Sequence, residues 1–355
     1  MMTRHPVRAR SNSASIDIGI GCPTRVMALI GTGPGNDLRS QERKLAALSS
    51  ATSQPDIVAD LSYSHTKSPP LWRCVLERTN FVAATLPIYR CTRRNELVDP
   101  SELIEIATEQ MEAGVGIITI HATPSRELID LSKGRLVPWT SRGGGVVIRD
   151  LMARGSFDNV YLKVLPGLLS TAKRTATIIS LGTTFRSANL FDACDLVHWR
   201  ELDLQIELAN QLATQGVGAI IEAPGHARPS DIRRLAVPLR SAGFPVMPLG
   251  PMPTDAGFEQ DHVAAAIGAS LMGLEGCAQI VAAVTREEHS GGIPTVDSTL
   301  EAVACARLAA HVIDLELLGC DQADRAVATE RAQKRTCVIG KDSPGCSRCS
   351  TLCPL

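Results

Sequence analysis

Eight short apolar segments recur along the chain, and helix-like stretches separate most of them. The segments are Val26–Ile30, Ile57–Leu61, Phe81–Leu86, Gly116–Ile120, Thr177–Leu181, Ala219–Glu222, Pro245–Leu249 and Ser270–Gly273. Several are nearly continuous Val, Ile and Leu runs, which are typical of parallel strands buried on both faces. The stretches Glu102–Ala113 and Leu202–Thr214 carry apolar residues at helical spacing. This alternation predicts an α/β fold, a (β/α)8 TIM barrel, with an open doubly wound sheet as the alternative.

The spacing of these segments divides the chain into a barrel and shorter flanking regions. The gap from Ile120 to Thr177 is too long for one helix and predicts an insertion. After Pro294 the pattern becomes helical, with candidate helices at Ser298–Leu318 and Asp324–Lys334. We therefore expect a disordered N-terminal tail over residues 1–24, a barrel over 25–296, a helical extension over 297–336 and a flexible cysteine-rich tail over 337–355.

The balance of charges argues against nucleic acid or a membrane surface as a partner. The chain has 36 Lys and Arg against 37 Asp and Glu, which offers no electrostatic attraction to a polyanion. No apolar run approaches the roughly 18 residues that would span a bilayer. The N-terminus carries Arg4, Arg8 and Arg10 but no apolar signal segment. We expect a cytoplasmic protein whose 11 cysteines stay reduced.

Three cysteines are clustered near the C-terminus. Cys346, Cys349 and Cys353 lie within eight residues of one another. Thiolates are soft ligands for iron–sulfur clusters and for zinc. A structural zinc site uses four ligands, and the next cysteine, Cys337, lies nine residues upstream. Three thiolates and an open position favour a 4Fe–4S cluster, with zinc as the alternative.

Polar side chains follow the predicted strands at their carboxyl ends, where β/α barrels carry their chemistry. They are Asp60, Ser62, Tyr89, His121, Arg186, Glu222, His226, Asp255, His262 and Glu275. Each has a structural explanation by itself, but a barrel would aim all of them into one cup. The placement of His121 and Glu222 allows them either to move protons or to position a substrate. His226 and His262 are a possible metal pair, because neutral imidazoles suit zinc and iron(II).

Two glycine-rich motifs have different predicted roles. In Ser141-Arg142-Gly143-Gly144-Gly145, consecutive glycines expose backbone N–H groups that can hold an oxyanion, and Arg and Ser add hydrogen bonds. The alternative for this motif is a flexible turn. The run from Gly31 to Gly35 is not a dinucleotide fingerprint, because Pro34 and the spacing break the pattern. We interpret it as the loop after the first strand.

From about Asp56 to the C-terminus the chain resembles the phosphomethylpyrimidine synthase (ThiC) family. The matching stretches, in family order, are Asp60-Leu-Ser62, Thr85-Leu-Pro-Ile-Tyr89, Thr119-Ile-His121-Ala122, Ser141-Arg-Gly-Gly144, Ser180-Leu-Gly182, Glu222-Ala-Pro-Gly-His226, Leu249-Gly-Pro251, Thr254-Asp255, Asp261-His262 and Glu288-His289. The resemblance implies a (β/α)8 barrel and a homodimer in which each cysteine tail reaches the partner's active site. It also implies a radical S-adenosylmethionine lyase that rearranges aminoimidazole ribonucleotide into hydroxymethylpyrimidine phosphate in thiamine biosynthesis.

The resemblance also implies a role for individual residues. Cys346, Cys349 and Cys353 would hold a 4Fe–4S cluster that reduces S-adenosyl-L-methionine to yield a 5′-deoxyadenosyl radical. His226 and His262 would bind zinc or iron(II). The implied substrate contacts are Tyr89, His121, Ser141, Arg142, Gly143, Arg186 and Glu222. The expected partners are a small-molecule nucleotide and an electron donor such as flavodoxin or ferredoxin.

The chain departs from the family at several positions. Its cysteines are spaced C-x2-C-x3-C instead of C-x2-C-x4-C, and an Asn of the first strand is lost near Ala28-Leu29. Ala59, Thr183 and Met247 stand where the family has Met, Asp and Tyr. A site that loses specific polar partners rejects its original substrate strongly. Three hypotheses follow: a thiamine pyrimidine synthase, a radical paralogue in a benzimidazole or natural-product pathway, and a non-catalytic zinc-binding barrel.

Overall fold

The computed structural model describes residues 5–12, 14–63, 70–91, 96–155, 159–337 and 349–352. Its strands, in chain order, are β1 (Val7–Ser11), β2 (Ala14–Ile18), β3 (Arg25–Ile30), β4 (Ile57–Asp60), β5 (Val82–Thr85), β6 (Ile117–Ile120), β7 (Ile178–Leu181), β8 (Ala219–Glu222), β9 (Val246–Met247) and β10 (Ile280–Ala283). Strands β3 to β10 form one parallel sheet of eight strands. Val246 N and Gln279 Oε1, 2.8 Å apart, join β9 to the start of β10 and close the ring. The predicted (β/α)8 barrel is confirmed.

Helices surround this barrel. They are α1 (Leu38–Ser50), α2 (Leu71–Arg78), α3 (Pro100–Glu112), α4 (Arg126–Ser132), α5 (Arg142–Arg154), α6 (Val160–Thr175), α7 (Leu196–Thr214), α8 (Pro229–Ala242), α9 (Asp261–Leu274), α10 (Val296–Leu318) and α11 (Gln322–Lys334). The predicted helices at α3, α7, α10 and α11 are confirmed, although α7 begins earlier, where the Asp195 side chain accepts the His198 N–H. The predicted insertion between β6 and β7 consists of α4 and α5, which precede the crossover helix α6.

The predicted eighth strand is wrong. Ser270–Gly273 lies inside α9, and the eighth barrel strand is Ile280–Ala283. A short apolar run cannot be assigned to strand or helix by periodicity alone. Gly276, at φ +80°, lies between helix and strand. Glu275 therefore lies at the end of α9, where Arg240 Nη1 donates to its carboxylate at 3.2 Å, and it does not line the cavity.

The expectation of a disordered N-terminal tail is also wrong. Strands β1 and β2 form an antiparallel hairpin in which Val7 pairs with Ile18. Ala9 and Ile18 are fully buried and pack against the amino-terminal residues of the barrel strands, such as Ile57 and Ile280. The physical reason is a period-two alternation that places apolar residues on one face of each strand. The hairpin thus covers the amino-terminal end of the barrel.

The helices after the barrel differ in how they are packed. Helix α10 lies against α9 so closely that a Cβ on Gly273 would come within 2.2 Å of Ile313 Cδ1. Helix α11 buries none of its residues. Across the part of the chain that the structure describes, no helix has both the length and the hydropathy for crossing a bilayer.

Candidate active site

A cavity of about 530 Å³ occupies the carboxyl end of the barrel. This volume is in the usual range for small-molecule sites. Seven of the predicted site residues line it: Tyr89, His121, Ser141, Arg142, Arg186, Glu222 and His226. Gly143 does not line the cavity but lies directly against the His121 ring. His262 is not part of the lining. The structure therefore brings together five of the ten side chains that the sequence placed at the ends of strands, together with Ser141 and Arg142.

The His121 imidazole is held in a tight, buried slot. A Cβ on Gly143 would come within 2.5 Å of its ring, and a Cβ on Gly182 within 2.7 Å. Ser141 Oγ lies 2.7 Å from His121 Nε2, whereas His121 Nδ1 is buried and has no hydrogen-bond partner among the described residues. Burial, with a smaller effect of Arg186, lowers the His121 pKa to about 3. The ring is therefore neutral at physiological pH and rigidly oriented.

The Ser141–Gly145 motif is the first turn of α5, and the alternative of a flexible turn is wrong. Ser141 caps the helix by accepting the Gly144 N–H at 3.1 Å. The glycines allow close packing, since a Cβ on Gly144 would overlap the Thr184 side chain at 2.2 Å. The amino terminus of a helix carries partial positive charge and free N–H groups that favour anions. With Arg142 and Arg186 lining the same cavity, this end forms a cationic pole, here called the α5 pole.

Glu222 provides a buried carboxyl group beside this pole. Its Oε1 accepts hydrogen bonds from Ser180 Oγ on the adjacent strand β7 at 3.1 Å and from Thr119 Oγ1 on β6, the next strand along, at 3.3 Å. Burial raises the Glu222 pKa, and the nearby Arg186 guanidinium opposes that shift. Burial likewise raises the pKa of the Tyr89 phenol. A carboxyl group with a raised pKa is suited to accept and return protons near neutral pH.

Glu201, which sequence reasoning missed, organises two of the loops that carry site residues. Its carboxylate on α7 is almost fully buried and accepts four hydrogen bonds of 2.6 to 2.7 Å. The donors are Thr123 Oγ1, Thr183 Oγ1, Thr184 N and Phe185 N. One carboxylate therefore ties the loop after His121 to the loop before Arg186. An acidic residue inside an otherwise amphipathic helix was the only sequence signal.

The structure pairs His226 with His289 and not with His262. His226 Nε2 lies 3.2 Å from His289 Nε2. Asp255 Oδ1 lies 2.7 Å from His226 Nδ1, and Asp261 Oδ1 lies 2.9 Å from His289 Nδ1. Carboxylates that hold Nδ1–H leave both Nε2 lone pairs facing each other, an arrangement that a shared proton or a metal ion would relieve. His289 belongs to Glu288-His289, one of the stretches that resemble the ThiC family.

His262 lies on α9, outside the cavity lining. Its Nε2 is 3.6 Å from Glu301 Oε1, and its buried Nδ1 has no hydrogen-bond partner within the described ranges. No group of three or more His, Cys, Asp or Glu side chains suited to a metal ion occurs among the residues described. His226 and His289 are the two histidines whose Nε2 atoms face each other at the cavity.

The two candidates at the end of the second barrel strand, β4, are structural. Asp60 accepts the N–H groups of Ser62 and Trp72, both at 2.8 Å, and so fixes the start of α2. Ser62 Oγ accepts the Thr32 N–H at 2.8 Å. Asp60 and Ser62 are buried and absent from the cavity lining. Their side chains fix the backbone next to the cavity and do not line it.

Only one of the three predicted cluster ligands is among the residues that the structure describes. Cys349 is described and is exposed. Cys346 and Cys353 lie outside the described residues. The 4Fe–4S assignment therefore stays a prediction from the sequence.

A parallel eight-stranded barrel with a polar, ligand-sized cavity at the carboxyl ends of its strands has the architecture of the β/α-barrel enzymes. The chain belongs to the Radical SAM ThiC family, whose sequence profile matches residues 4–353. Membership of this family implies S-adenosylmethionine and an iron–sulfur cluster as cofactors.

Relatives with an assigned activity cover nearly the whole chain. The phosphomethylpyrimidine synthase of Archaeoglobus fulgidus is 30% identical over 95% of this chain and 85% of its own length. That of Pyrobaculum aerophilum is 28% identical over 96% and 85%. Among solved structures, a dihydropteroate synthase from Xanthomonas albilineans superposes with a TM-score of 0.48 and 13% identity, covering 86% of this chain and 98% of its own.

Proposed function

We propose that the protein is a radical S-adenosylmethionine lyase of the phosphomethylpyrimidine synthase type, with aminoimidazole ribonucleotide as its substrate. The observation that carries this proposal is the convergence of the α5 pole with Glu222, His121 and Tyr89 in one cavity. A phosphate group suits the α5 pole, and a nitrogen-rich heterocycle suits the carboxyl, imidazole and phenol groups beside it. The names of the relatives support the same chemistry.

The residues then have distinct tasks. Ser141, Arg142 and the Gly143 N–H would hold the substrate phosphate at the start of α5. Arg186 would hold an electron-rich edge of the substrate and oppose the rise in the Glu222 pKa that burial causes. Glu222 would hold or move a proton, and His121, neutral because of its low pKa, would accept or donate a hydrogen bond without carrying charge.

The cofactors would be held at two places. His226 and His289 fit zinc or iron(II), which would orient and polarise a ligand atom above the cavity. Cys346, Cys349 and Cys353 would hold a 4Fe–4S cluster, which supplies the electron for cleavage of S-adenosylmethionine. A homodimer and a flavodoxin- or ferredoxin-type electron donor belong to the same proposal.

A second candidate is a ThiC-like radical enzyme for a less polar substrate. The lining of the cavity includes Leu29, Ala59, Met247 and Ala282, and none of these side chains can donate a hydrogen bond to a base or ribose, or accept a strong one from it. Two of the four stand where the family has other residues. A lining of this kind favours a substrate with fewer polar groups.

The test is anaerobic incubation of the iron- and sulfide-reconstituted protein with S-adenosylmethionine, dithionite and aminoimidazole ribonucleotide, followed by mass spectrometry. The proposal predicts 5′-deoxyadenosine and hydroxymethylpyrimidine phosphate, and predicts that Glu222→Ala abolishes both. Cleavage of S-adenosylmethionine without the pyrimidine product would favour the second candidate. A reconstituted protein without inorganic sulfide, or with zinc held by the tail cysteines, would contradict both.

A further inference from the structure

Gln205 is a buried residue of α7 whose amide joins the ends of two neighbouring barrel strands. Only 1% of the residue is exposed. Its Nε2 donates one hydrogen bond to the Leu181 carbonyl oxygen at 2.8 Å and the other to the Glu222 carbonyl oxygen at 3.0 Å. Leu181 is the last residue of β7, and Glu222 is the last residue of β8. One NH2 group therefore bridges the two strands where they end.

This bridge lies at the end of the ladder that pairs the two strands. The last register pair of β7 and β8 is Leu181 with Ile221, one residue before Glu222. Buried carbonyl groups need hydrogen-bond donors, and Gln205 supplies one to each strand. The amide therefore continues the pairing of β7 and β8 for one further residue and fixes their offset next to the cavity.

The offset of these strands decides which donors reach the Glu222 carboxyl. Ser180, the residue before Leu181, donates from Oγ to Glu222 Oε1 at 3.1 Å. The Thr183 N–H, two residues after Leu181, is a second donor, and it lowers the Glu222 pKa against the effect of burial. Both donors lie on the segment whose carbonyl oxygen Gln205 binds. A shift of β7 against β8 would lengthen both hydrogen bonds and change the position of the carboxyl group.

A role in packing alone does not account for an amide at this position. Other buried residues of α7, such as Leu202, Ala209 and Leu212, are apolar. Burying an amide is unfavourable unless its groups form hydrogen bonds. A leucine would fill a similar space without that requirement. The amide is therefore explained by the two carbonyl groups that it binds.

We propose that Gln205 is a positioning residue that holds the Glu222 carboxyl in place for proton transfer, acting through the backbone at the ends of β7 and β8. The inference rests on the proposed function, in which Glu222 holds or moves a proton. It deepens that function by naming a group outside the cavity lining on which the geometry of this carboxyl depends. Gln205 belongs to none of the stretches that resemble the ThiC family.

The experiment compares wild type with Gln205→Met, which keeps the length of the side chain but cannot donate a hydrogen bond. The kcat for the pyrimidine product should fall about 10- to 100-fold, because small displacements of a reacting group have costs of this order. The KM for aminoimidazole ribonucleotide should change little, because the α5 pole is untouched. The limb of the pH profile that reports Glu222 should move to higher pH, because the donors that lower its pKa are weakened. Gln211→Met, on the exposed side of the same helix, should match wild type in all three.

A spectroscopic titration tests the same link without turnover. The infrared carboxyl band that Glu222→Gln removes should titrate at a higher midpoint in Gln205→Met than in wild type. Gln205→Glu is the second variant, for the case in which methionine prevents folding. Its carboxylic acid donates one hydrogen bond when protonated and none when ionised, so its kcat relative to wild type should fall as pH rises.

The outcomes separate this inference from the proposed function. An unchanged midpoint and pH limb in Gln205→Met would overturn the positioning role, because Gln205 would then only support the fold. A ratio of Gln205→Glu to wild-type kcat that does not vary with pH would overturn it as well. A raised midpoint in Gln205→Met, together with no pyrimidine product from wild type, would overturn the proposed function and leave the link between Gln205 and the Glu222 carboxyl intact.

Discussion

The Thr183 hydroxyl donates a hydrogen bond of 2.6 Å to Glu201 Oε2, so this side chain faces helix α7 and does not line the cavity. Thr183 stands where the family has Asp. Its hydroxyl is one of four donors that converge on the buried Glu201 carboxylate. The loop before Arg186 is therefore fixed by its hydrogen bonds to Glu201 on α7. The position of the Arg186 guanidinium depends on these bonds.

Glu201→Gln should destabilise the protein. The amide keeps one acceptor oxygen but presents an NH2 group to a backbone N–H of Thr184 or Phe185, which then loses its partner. A buried donor without a partner costs about 1–3 kcal/mol, and more when a charged acceptor is lost. Urea unfolding at pH 7 should show a loss of about 2–3 kcal/mol in the free energy of unfolding. The exposed Glu207, changed to Gln on the same helix, should change it by less than about 0.5 kcal/mol.

Gly143→Ala should lower activity, whereas Gly145→Ala should not. The new Cβ at residue 143 would come within 2.5 Å of the His121 ring and displace it from Ser141. A displacement of the order of 1 Å in a site group can cost about a hundredfold in rate. At Gly145 the nearest atom to a Cβ is 3.8 Å away, so alanine fits and its helix propensity adds up to about 1 kcal/mol. Equal activities for the two variants would contradict the tight packing of the His121 ring against Gly143.

The stability of the protein should fall in mild acid, partly because of His198. This ring is 3% exposed, and burial, with Arg135, lowers its pKa to about 4. The unfolded chain therefore binds the proton first, and the contribution of His198 is complete above about pH 6.5 and is lost as pH falls toward 4. The difference in unfolding free energy between wild type and His198→Asn should shrink by about 1.4 kcal/mol per pH unit in that window. Parallel pH profiles would show that His198 does not titrate on unfolding.

The barrel could be predicted because its strands are continuous apolar runs that no surface helix would carry. The eighth strand was missed because Ser270–Gly273 and Ile280–Ala283 are equally short and apolar, and only packing distinguishes them. Small residues on α9, such as Gly273, let that helix approach α10 closely, and this is a tertiary effect. The N-terminal hairpin was missed because its alternation is weak and its partner, the open end of the barrel, is remote in sequence.

The site was predictable to the extent that residues at strand ends converge in a barrel. His121, Arg186 and Glu222 needed only that rule. The role of Glu201 was not predicted, because its four hydrogen-bond donors lie on loops that are distant in sequence and no local pattern indicates them.

The metal content of the protein should depend on His289 and not on His262. His226 and His289 present their Nε2 atoms to each other, while Asp255 and Asp261 hold the two Nδ1 atoms. His289→Ala should therefore reduce zinc or iron(II) affinity as strongly as His226→Ala. Asp261→Asn should reduce it about 10- to 100-fold, the usual cost of losing a carboxylate that orients a ligand.

Metal retained after dialysis against a chelator, measured by plasma mass spectrometry, provides the readout. His262→Ala should retain wild-type metal, because its ring faces Glu301 and not His226. If His262→Ala loses its metal while His289→Ala retains it, His262 and not His289 is the second ligand.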